Sequence, residues 1–374
     1  MSNSYYIESL ELQAQGVAKP SEEHGKTITF IPKTLPGEVV RANVYQERKN
    51  THRAKLIEVI EASDKRVAAG CPHYDSCPSC HYLHTSYQNE LEFKKQALAR
   101  QLQFLYSKKS YKTPSIDIIQ SPNRSHYRNR VQLHYRHKYL GFIDSSKDQV
   151  LETPECQLIR PELQEAFDSL YRDKSWTREH SGSGHVELYW QDGEVKTHWN
   201  KDYAAGGFSQ VNQAINNAMG DSILNILEKS NTQFLLDLFS GKGNLSNCYQ
   251  QKSQCQRLMA DISPYNHPDY LQLNLFDDDA FERFTRRFGK PEVDCLLIDP
   301  PRAGFKQLEF WLKKLKPKKL IYISCNPQSL ANDLRSLVQN GSKFTVETIQ
   351  LFDMFPGTYH FETLIEINFK RHAK

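Results

Sequence analysis

The 374-residue sequence has no apolar run of the length that a membrane-spanning helix needs. Its first residues, MSNSYYIESLELQ, hold neither a basic start nor an apolar core, so no secretory signal peptide is expected there. Both absences favour a cytoplasmic protein. Cysteine is scarce, with eight residues in the chain. In the cytoplasm such cysteines are expected to be reduced, metal-bound or catalytic rather than paired in disulfides.

Three further features are missing or weak. The motif G-x-x-x-x-G-K-[ST] does not occur, which argues against a P-loop nucleotidase. No internal repeat and no low-complexity tract is found, and the net charge is only +4. That charge is unevenly distributed, because residues 1–140 carry 21 Lys and Arg against 13 Asp and Glu, whereas residues 141–374 carry 27 against 31. A basic front of this kind predicts contact with a polyanion such as nucleic acid.

The apolar pattern predicts three domains. Residues 1–62 alternate apolar and polar positions between glycine-containing turns, which is typical of a small OB-like β-barrel that binds oligonucleotides. Residues 63–205 combine a cysteine-rich stretch, a helix over 89–105 and several strands, and predict an α+β domain. Residues 206–374 alternate strands with helices, which predicts a doubly wound, Rossmann-like α/β sheet. Its strands are predicted at FLLDLF, RLMADI, YLQLNL, DCLLIDP, KLIYISC and TLIEINF.

The cysteine-rich stretch has the spacing of a metal clamp. Cys71, Cys77 and Cys80 are separated by five and two residues, and Cys156 in TPECQLI can supply a fourth thiolate. Four thiolates suit tetrahedral zinc or an iron–sulfur cube, and the spacing alone does not decide between them. Three nearby histidines are alternative candidates for the fourth ligand: His73, His81 and His84.

A glycine turn and an acid predict a nucleotide site at the start of the third domain. The segment FLLDLFSGKGNLS (234–246) is a strand followed by Gly241-x-Gly243 and a helix start, where backbone N–H groups are free to meet a ligand. Asp261 ends the next strand, at a position that commonly binds ribose hydroxyls. Together these features favour an adenosine-containing cofactor.

Two other strands of this domain end in chemically reactive residues. LLIDPPRAGF (296–305) places Asp299 after a buried strand, and LIYISCNPQSL (320–330) places Cys325 after another. Parallel sheets bind ligands beyond the carboxyl ends of their strands, so the thiol is a candidate nucleophile. Glu362 begins the last strand behind an aromatic-rich turn, where a carboxylate can gain the proton affinity of a general base.

These motifs together resemble those of the uridine-carbon-5 RNA methyltransferases that use S-adenosylmethionine, specifically the iron–sulfur branch that acts on 23S rRNA. The resemblance covers nearly the whole chain. It implies a TRAM domain over residues 1–62 and a monomeric enzyme whose substrate is RNA. It also implies a 4Fe–4S cluster, in preference to zinc, on Cys71, Cys77, Cys80 and Cys156. The positions that match cofactor- or substrate-binding residues are Gln210 in FSQVNQAIN, Phe239, Asn244, Asp261, Asn274 and Asp299.

The resemblance also implies a mechanism. Cys325 attacks carbon 6 of uracil, carbon 5 takes the methyl group, and Glu362 then removes the carbon-5 proton. Residues 126–130 (HYRNR) are expected to help the barrel hold RNA, and Tyr359 or Phe361 to stack on the flipped base. The segment ISPYNHPD, between the second and third strands, is shorter than the family's usual crossover.

Two alternatives to 23S rRNA methylation remain open. Related enzymes with the same parts act on uridine in transfer RNA. The shortened crossover also allows a non-catalytic RNA-binding scaffold with a degenerate methyltransferase fold, which would bind RNA but not S-adenosylmethionine.

Overall fold

The computed structural model describes residues 3–18, 27–107, 114–144, 148–202, 210–247 and 255–369. Within these ranges it has eighteen strands and eight helices, and none of those helices combines the length and apolar character needed to cross a bilayer. The chain divides into two compact units. The first comprises Met1–Ala97, Pro122–Gln213 and Phe355–Tyr359, and the second comprises Leu98–Ser121, Ala214–Met354 and His360–Lys374. The three domain boundaries predicted from sequence stay a prediction.

The first unit begins with a closed five-stranded barrel, in the order β1-β2-β3-β5-β4. Alternating residues such as Tyr5, Ile7 and Val40 point inward and are buried. Gly16 is required at its position, because a Cβ atom there would lie 2.0 Å from Thr34 Oγ1. The predicted small β-barrel is therefore confirmed. Its strands are β1 (Asn3–Leu10), β2 (Gln15–Ala18), β3 (Ile28–Pro32), β4 (Val39–Arg48) and β5 (Thr51–Glu61).

The first unit also contains a five-stranded sheet in the order β11-β10-β7-β8-β9. One face packs on Leu163 and Phe167 of helix α3 (Pro161–Arg172) and on Trp176, which begins α4 (Trp176–Glu179). The helix predicted over 89–105 is present as α1 (Tyr87–Gln101) and α2 (Gln103–Ser107). The strands of this sheet are β7 (Arg130–Arg136), β8 (Tyr139–Asp144), β9 (Gln149–Leu151), β10 (Ser183–Gln191) and β11 (Glu194–Trp199).

The second unit is built on an eight-stranded sheet in the order β14-β13-β12-β15-β16-β18-β17-β6. Its strands are β6 (Ile116–Ile119), β12 (Phe234–Leu238), β13 (Gln256–Asp261), β14 (Tyr270–Gln272), β15 (Cys295–Ile298), β16 (Lys319–Ser324), β17 (Phe344–Phe352) and β18 (Glu362–Phe369). Its helices are α5 (Gln213–Lys229), α6 (Ala280–Phe288), α7 (Leu308–Leu315) and α8 (Pro327–Gln339). The predicted doubly wound sheet is confirmed.

The order of the strands locates the ligand-binding edge of this sheet. Strand β12 pairs in parallel with both β13 and β15, so the direction of winding reverses at β12. Ligands of such sheets bind beyond the carboxyl ends of the strands at this reversal. Strand β18 is antiparallel to β16, and therefore brings its first residue to the same edge.

The sequence did not predict two strands of this sheet correctly. Strand β17 was not predicted, although its alternating burial is that of a paired strand. Strand β6 was predicted among the strands of residues 63–205, but it pairs in parallel with β17. Its partner is more than 200 residues away in sequence, so no local pattern could have assigned it to this sheet.

Candidate active site

The second unit brings Asp299 and Cys325 to one edge of its sheet. Strand β15 ends at Ile298 and β16 ends at Ser324, and the two strands are adjacent and parallel. Asp299 and Cys325 are the residues that follow them, so both lie beyond carboxyl ends, as the sequence predicted. Both side chains are half-buried.

The antiparallel pairing of β16 with β18 brings Glu362 opposite Cys325. Ser324 pairs with Thr363, so the next residues outward are Cys325 on one strand and Glu362 on the other. Glu362 is 4% exposed, and its Oε2 atom finds no hydrogen-bond partner among the described residues. Because an unsatisfied buried carboxylate is costly, this atom is available for a ligand or a proton.

The charges around Cys325 shift its proton affinity. Burial, then the carboxylates of Glu362 and Asp299, raise the pKa of the Cys325 thiol to about 12, whereas Arg302 lowers it. The pKa of Glu362 is raised well above its ordinary value, first by burial and then by Asp299, and Arg302 again opposes the shift. The Cys325 thiol therefore keeps its proton near neutral pH. Arg302 is the nearby cation that favours the thiolate.

The charges of two other acids, Asp237 and Asp261, act on Asp299. Burial, then the charges of Asp237 and Asp261, raise the pKa of Asp299 to about 7. Asp237 is 2% exposed, and burial raises its pKa to about 7, although the Ser246 hydroxyl donates a 2.6 Å hydrogen bond to it. The edge of the sheet therefore concentrates carboxyl groups, whose negative charge a cationic ligand would favour, and Arg257 partly offsets the shift at Asp237.

These raised pKa values predict that Asp237 and Asp299 make the fold progressively less stable as pH rises from about 4 to about 7. In that range the unfolded chain releases the protons of Asp237 and Asp299 while the folded chain keeps them, so unfolding becomes easier. The lowered pKa of His84 acts in the opposite direction over the same range, so the effect of the acids is read from a variant. The shift at Asp237 alone corresponds to roughly 4 kcal/mol. Urea unfolding followed by circular dichroism at several pH values measures this loss.

The variant Asp237→Asn keeps an acceptor for Ser246 but removes the titrating carboxyl. We expect it to show a flatter pH dependence of unfolding than the parent, whatever its stability at pH 8, because the buried Arg257 also interacts with Asp237. The exposed variant Asp278→Asn serves as the control. An equal pH slope in the parent and in Asp237→Asn would contradict the prediction.

An aromatic wall and a glycine turn lie beside the acids. Phe239, which follows β12 with φ of +61°, has its ring centroid 4.9 Å from that of Phe305 and 5.7 Å from that of Phe276. Asp261 ends β13 and accepts hydrogen bonds from the backbone N–H groups of Gly241 (3.0 Å) and Ser263 (2.8 Å). No described atom lies within 4 Å of the point where a Gly241 Cβ would stand.

The remaining predicted cofactor residues have local partners or lie elsewhere. Asn244 is exposed, and its side-chain amide exchanges hydrogen bonds of 2.8 and 3.2 Å with that of Asn216. The Asn274 amide donates to Asp277 Oδ1 at 2.6 Å, and its oxygen accepts from the backbone within the same turn. Gln210 belongs to the first unit, where its carbonyl accepts from Asn129 Nδ2 at 3.0 Å.

The sequence did not reveal how the two active-site loops are joined. Asn326 Nδ2 donates to the carbonyl of Arg302 at 2.9 Å, which links the turn after Cys325 to the Asp299 loop. Asp333 on α8 accepts from the Phe305 N–H (2.7 Å) and from the Tyr322 hydroxyl (2.6 Å) through one carboxylate oxygen. Asn326 belongs to the motif SCNP, whereas no pattern in the sequence indicated a role for Asp333.

In the first unit, the four predicted cysteine ligands line one cavity of about 240 Å³. Burial, then the neighbouring thiols of Cys77, Cys156 and Cys71, raise the pKa of Cys80. Burial also raises the pKa of Cys156 to about 11. No group of three or more His, Cys, Asp or Glu side chains in the described ranges is arranged to hold a metal ion.

The alternative histidine ligands differ in their surroundings. His73 lines the cysteine cavity, whereas His84 does not. His84 is 2% exposed, its Nδ1 is hydrogen-bonded to the Tyr74 hydroxyl, and burial lowers its pKa to about 4. The ring of His81 packs edge-on against Tyr359, with centroids 4.6 Å apart.

Parts of two expectations about RNA contacts were wrong, whereas the exposed His126 and the half-buried Tyr359 stay predicted contacts. Within residues 126–130, Asn129 and Arg130 are buried, and Arg130 forms a 2.8 Å ion pair with the buried Glu187. That charge serves the interior of the first unit rather than a phosphate. Phe361 is 1% exposed and lies in the core, so it is not free to stack on a base.

Comparisons with known proteins show which family the chain resembles. A family model described as tRNA (Uracil-5-)-methyltransferase matches residues 274–369, a range that includes Asp299, Cys325 and Glu362. The 23S rRNA (uracil(1939)-C(5))-methyltransferase RlmD of Shewanella amazonensis is 30% identical over 432 residues, covering 95% of this chain and 93% of the relative. The RlmD of Shewanella frigidimarina is 27% identical over 440 residues, covering 97% and 94%.

The chain belongs to the family of S-adenosylmethionine-dependent uridine-C5 RNA methyltransferases. A solved structure shows the same fold: the tRNA (uracil-54, C5)-methyltransferase of Pyrococcus abyssi in complex with S-adenosyl-L-homocysteine, with a TM-score of 0.69 and 20% identity. The likeness covers 98% of this chain and 100% of that one. The family assignment makes the Cys325–Glu362 edge the candidate catalytic centre. The short link between β13 and β14 contains no helix over residues 262–269.

Proposed function

We propose that this enzyme transfers a methyl group from S-adenosylmethionine to carbon 5 of a uridine in 23S rRNA. The observation that carries the proposal is the β16–β18 register, which sets the Cys325 thiol opposite the buried, unpartnered carboxylate oxygen of Glu362. The choice of 23S rRNA rests on the names of the curated relatives, which match nearly the whole chain.

In this mechanism Cys325 supplies the nucleophile. The Cys325 thiol loses its proton to solvent, and the thiolate forms a bond to carbon 6 of uracil. The electron pair of the carbon 5–carbon 6 double bond then forms an enolate that makes carbon 5 nucleophilic. Arg302 favours the thiolate that this step requires, because its charge lowers the pKa of Cys325. Asp299, held next to Cys325 by the pairing of β15 and β16, keeps the ring oriented for attack.

Glu362 completes the reaction as the general base. After carbon 5 has been methylated, Glu362 takes the carbon-5 proton, the double bond re-forms, and the carbon–sulfur bond breaks to release Cys325. The raised pKa of Glu362 suits this role, since a stronger base accepts the proton more readily. Its unpartnered Oε2 is the candidate acceptor atom.

S-adenosylmethionine supplies the methyl group when bound. The residues proposed to hold it are those at the carboxyl edge of the second unit, because they fit its chemistry. Phe239 and Phe305 offer an aromatic wall, Asp261 offers a carboxylate for ribose, and the Gly241 turn leaves open space. The acids Asp237 and Asp299 suit the positive sulfonium. Asn244 and Asn274 complete the proposed set in this unit, and the assignment of Gln210, which lies in the first unit, stays a separate prediction.

The proposal is tested with RNA that carries tritium at carbon 5 of uracil. We expect tritium release from unmodified 23S rRNA in the presence of S-adenosylmethionine, and little from transfer RNA. Release from transfer RNA instead would support the alternative substrate, which the matched family model and the Pyrococcus enzyme favour by name. RNA binding without S-adenosylmethionine binding would point to the non-catalytic scaffold.

We further propose that the first unit holds RNA through a TRAM-type barrel and carries a 4Fe–4S cluster on Cys71, Cys77, Cys80 and Cys156. The four thiols line one cavity and form the donor set of a 4Fe–4S cluster, which the family resemblance favours over zinc. Lys33 of the barrel donates to the carbonyls of Tyr74, Asp75 (3.1 Å) and Cys77 (3.3 Å) and thereby braces the cysteine loop. The proposed enzyme is a cytoplasmic monomer, in a compartment that keeps thiols reduced.

Anaerobically purified protein should therefore contain about four irons and four sulfides per chain. Cys156→Ala should lose most of both, because one of the four ligands is removed. Cys255→Ala, which changes a half-buried cysteine in the second unit, should keep them. Zinc in place of iron, measured by elemental analysis, would overturn the cluster assignment.

A further inference from the structure

The loop that leads into Glu362 is fixed by residues the mechanism does not use. Phe355–Tyr359 belongs to the first unit and ends three residues before Glu362. The carbonyl of Gly357 accepts hydrogen bonds from the backbone N–H groups of His81 (2.7 Å) and Tyr82 (3.1 Å). These two residues follow Cys80 directly, so the loop is bonded to the cysteine-rich segment.

A buried ion network holds the same loop from the other side. Glu90 on α1 is fully buried, and its Oε1 accepts from the Gly357 N–H at 2.7 Å. The same oxygen accepts from Lys94 at 2.8 Å, and Oε2 accepts from Arg124 at 3.0 Å. Lys94 also donates to the carbonyl of Phe355 at 3.3 Å.

The remaining contacts leave little freedom for this loop. The Tyr127 hydroxyl donates to the carbonyl of Pro356 at 3.1 Å, so three successive carbonyls are bound. Gly357 has φ of +80°, and a Cβ atom there would lie 3.2 Å from Leu83 Cδ2 and 3.9 Å from Cys80 Sγ. Burying charged groups is costly, and a fully bonded network of this kind specifies one geometry.

We propose that Glu90 is a positioning residue for the catalytic base: through Gly357 it fixes the loop that sets the start of β18 and therefore the place of Glu362. The inference rests on the proposed role of Glu362 as the base. It gives the cysteine-rich segment a second function, because His81 and Tyr82 hold the same loop through the Gly357 carbonyl. The experiment therefore measures removal of the carbon-5 proton.

Displacement of the base should slow proton removal while Cys325 still attacks the ring. The methylated RNA should then remain covalently attached to Cys325 and survive denaturation. We expect Glu90→Gln to reduce tritium release about tenfold or more and to accumulate this adduct, without a matching change in KM for S-adenosylmethionine. Glu92→Gln, on the exposed face of the same helix, should behave as the parent.

A second variant leaves the ion network intact. Gly357→Ala forces a residue with φ of +80° against Leu83, and should also accumulate the adduct. Its control is Gly341→Ala, which has the same backbone strain (φ of +77°) but no described atom within 4 Å of the new Cβ. If Glu90→Gln loses its iron, the positioning role is tested by comparing Gly357→Ala with Gly341→Ala instead.

The outcomes separate this inference from the proposed function. If Glu362→Gln traps the adduct but Glu90→Gln and Gly357→Ala do not, the positioning role is wrong and the base assignment stands. If Glu362→Gln itself traps nothing, the base assignment fails first. Adduct accumulation in both loop variants, with their two controls unchanged, supports the inference.

Discussion

Cys325→Ala is expected to abolish tritium release from carbon-5-labelled RNA and to leave no covalent RNA–protein adduct. Carbon 5 of uracil is a poor nucleophile until the Cys325 sulfur adds to carbon 6, so the chemical step loses its activation. Removal of a nucleophile that acts as part of a unit typically costs about 10⁴-fold or more in rate. Affinity for S-adenosylmethionine should change little, since the aromatic wall and Asp261 are untouched.

The control for this variant is Cys255→Ala. Cys255 lies just before β13, at the opposite edge of the same sheet, and is half-buried like Cys325. Both variants remove one thiol from the second unit, so a loss of activity caused by general damage would appear in both. Measurable tritium release from Cys325→Ala, with the control fully active, would assign the nucleophile to another residue.

The positions of Asp299 and Cys325 could be predicted because each follows a short buried strand that ends in a proline-containing turn. Parallel strands carry such residues to one edge whatever their order in the sheet. Glu362 was predicted at the start of the last strand, but its place opposite Cys325 depends on the antiparallel β16–β18 register. That register is a property of the folded sheet, and no local pattern in β18 encodes it.

What the sequence could not show depends on contacts between distant residues. Glu90 and Gly357 are separated by 267 positions, and neither belongs to a recognisable motif. Arg130 looked like an RNA contact because its neighbours are basic, but its partner Glu187 is 57 residues away and buried. Charge composition indicates how many cations a segment has, and only the fold shows which of them face solvent.

Glu362→Gln should separate the two halves of the reaction. The glutamine has nearly the same size as the glutamate but cannot take a proton, so methylation of carbon 5 proceeds and elimination of Cys325 does not. We expect tritium release to fall by about 10²–10⁴-fold, the usual contribution of a general base. At the same time, RNA labelled through the methyl group should accumulate as a denaturation-resistant complex with the protein.

The pH dependence of the parent enzyme provides an independent check on the same group. Because the pKa of Glu362 is raised above its ordinary value, the base is protonated and inactive in mildly acidic solution, and turnover should rise with pH. Glu362→Gln should lose the part of this rise that Glu362 contributes and keep the part due to Cys325, whose pKa is also raised. Glu347→Gln, an exposed acid on the neighbouring strand β17, is the matched control and should keep the parental profile. Equal tritium release from Glu362→Gln and from this control would remove Glu362 from the chemistry.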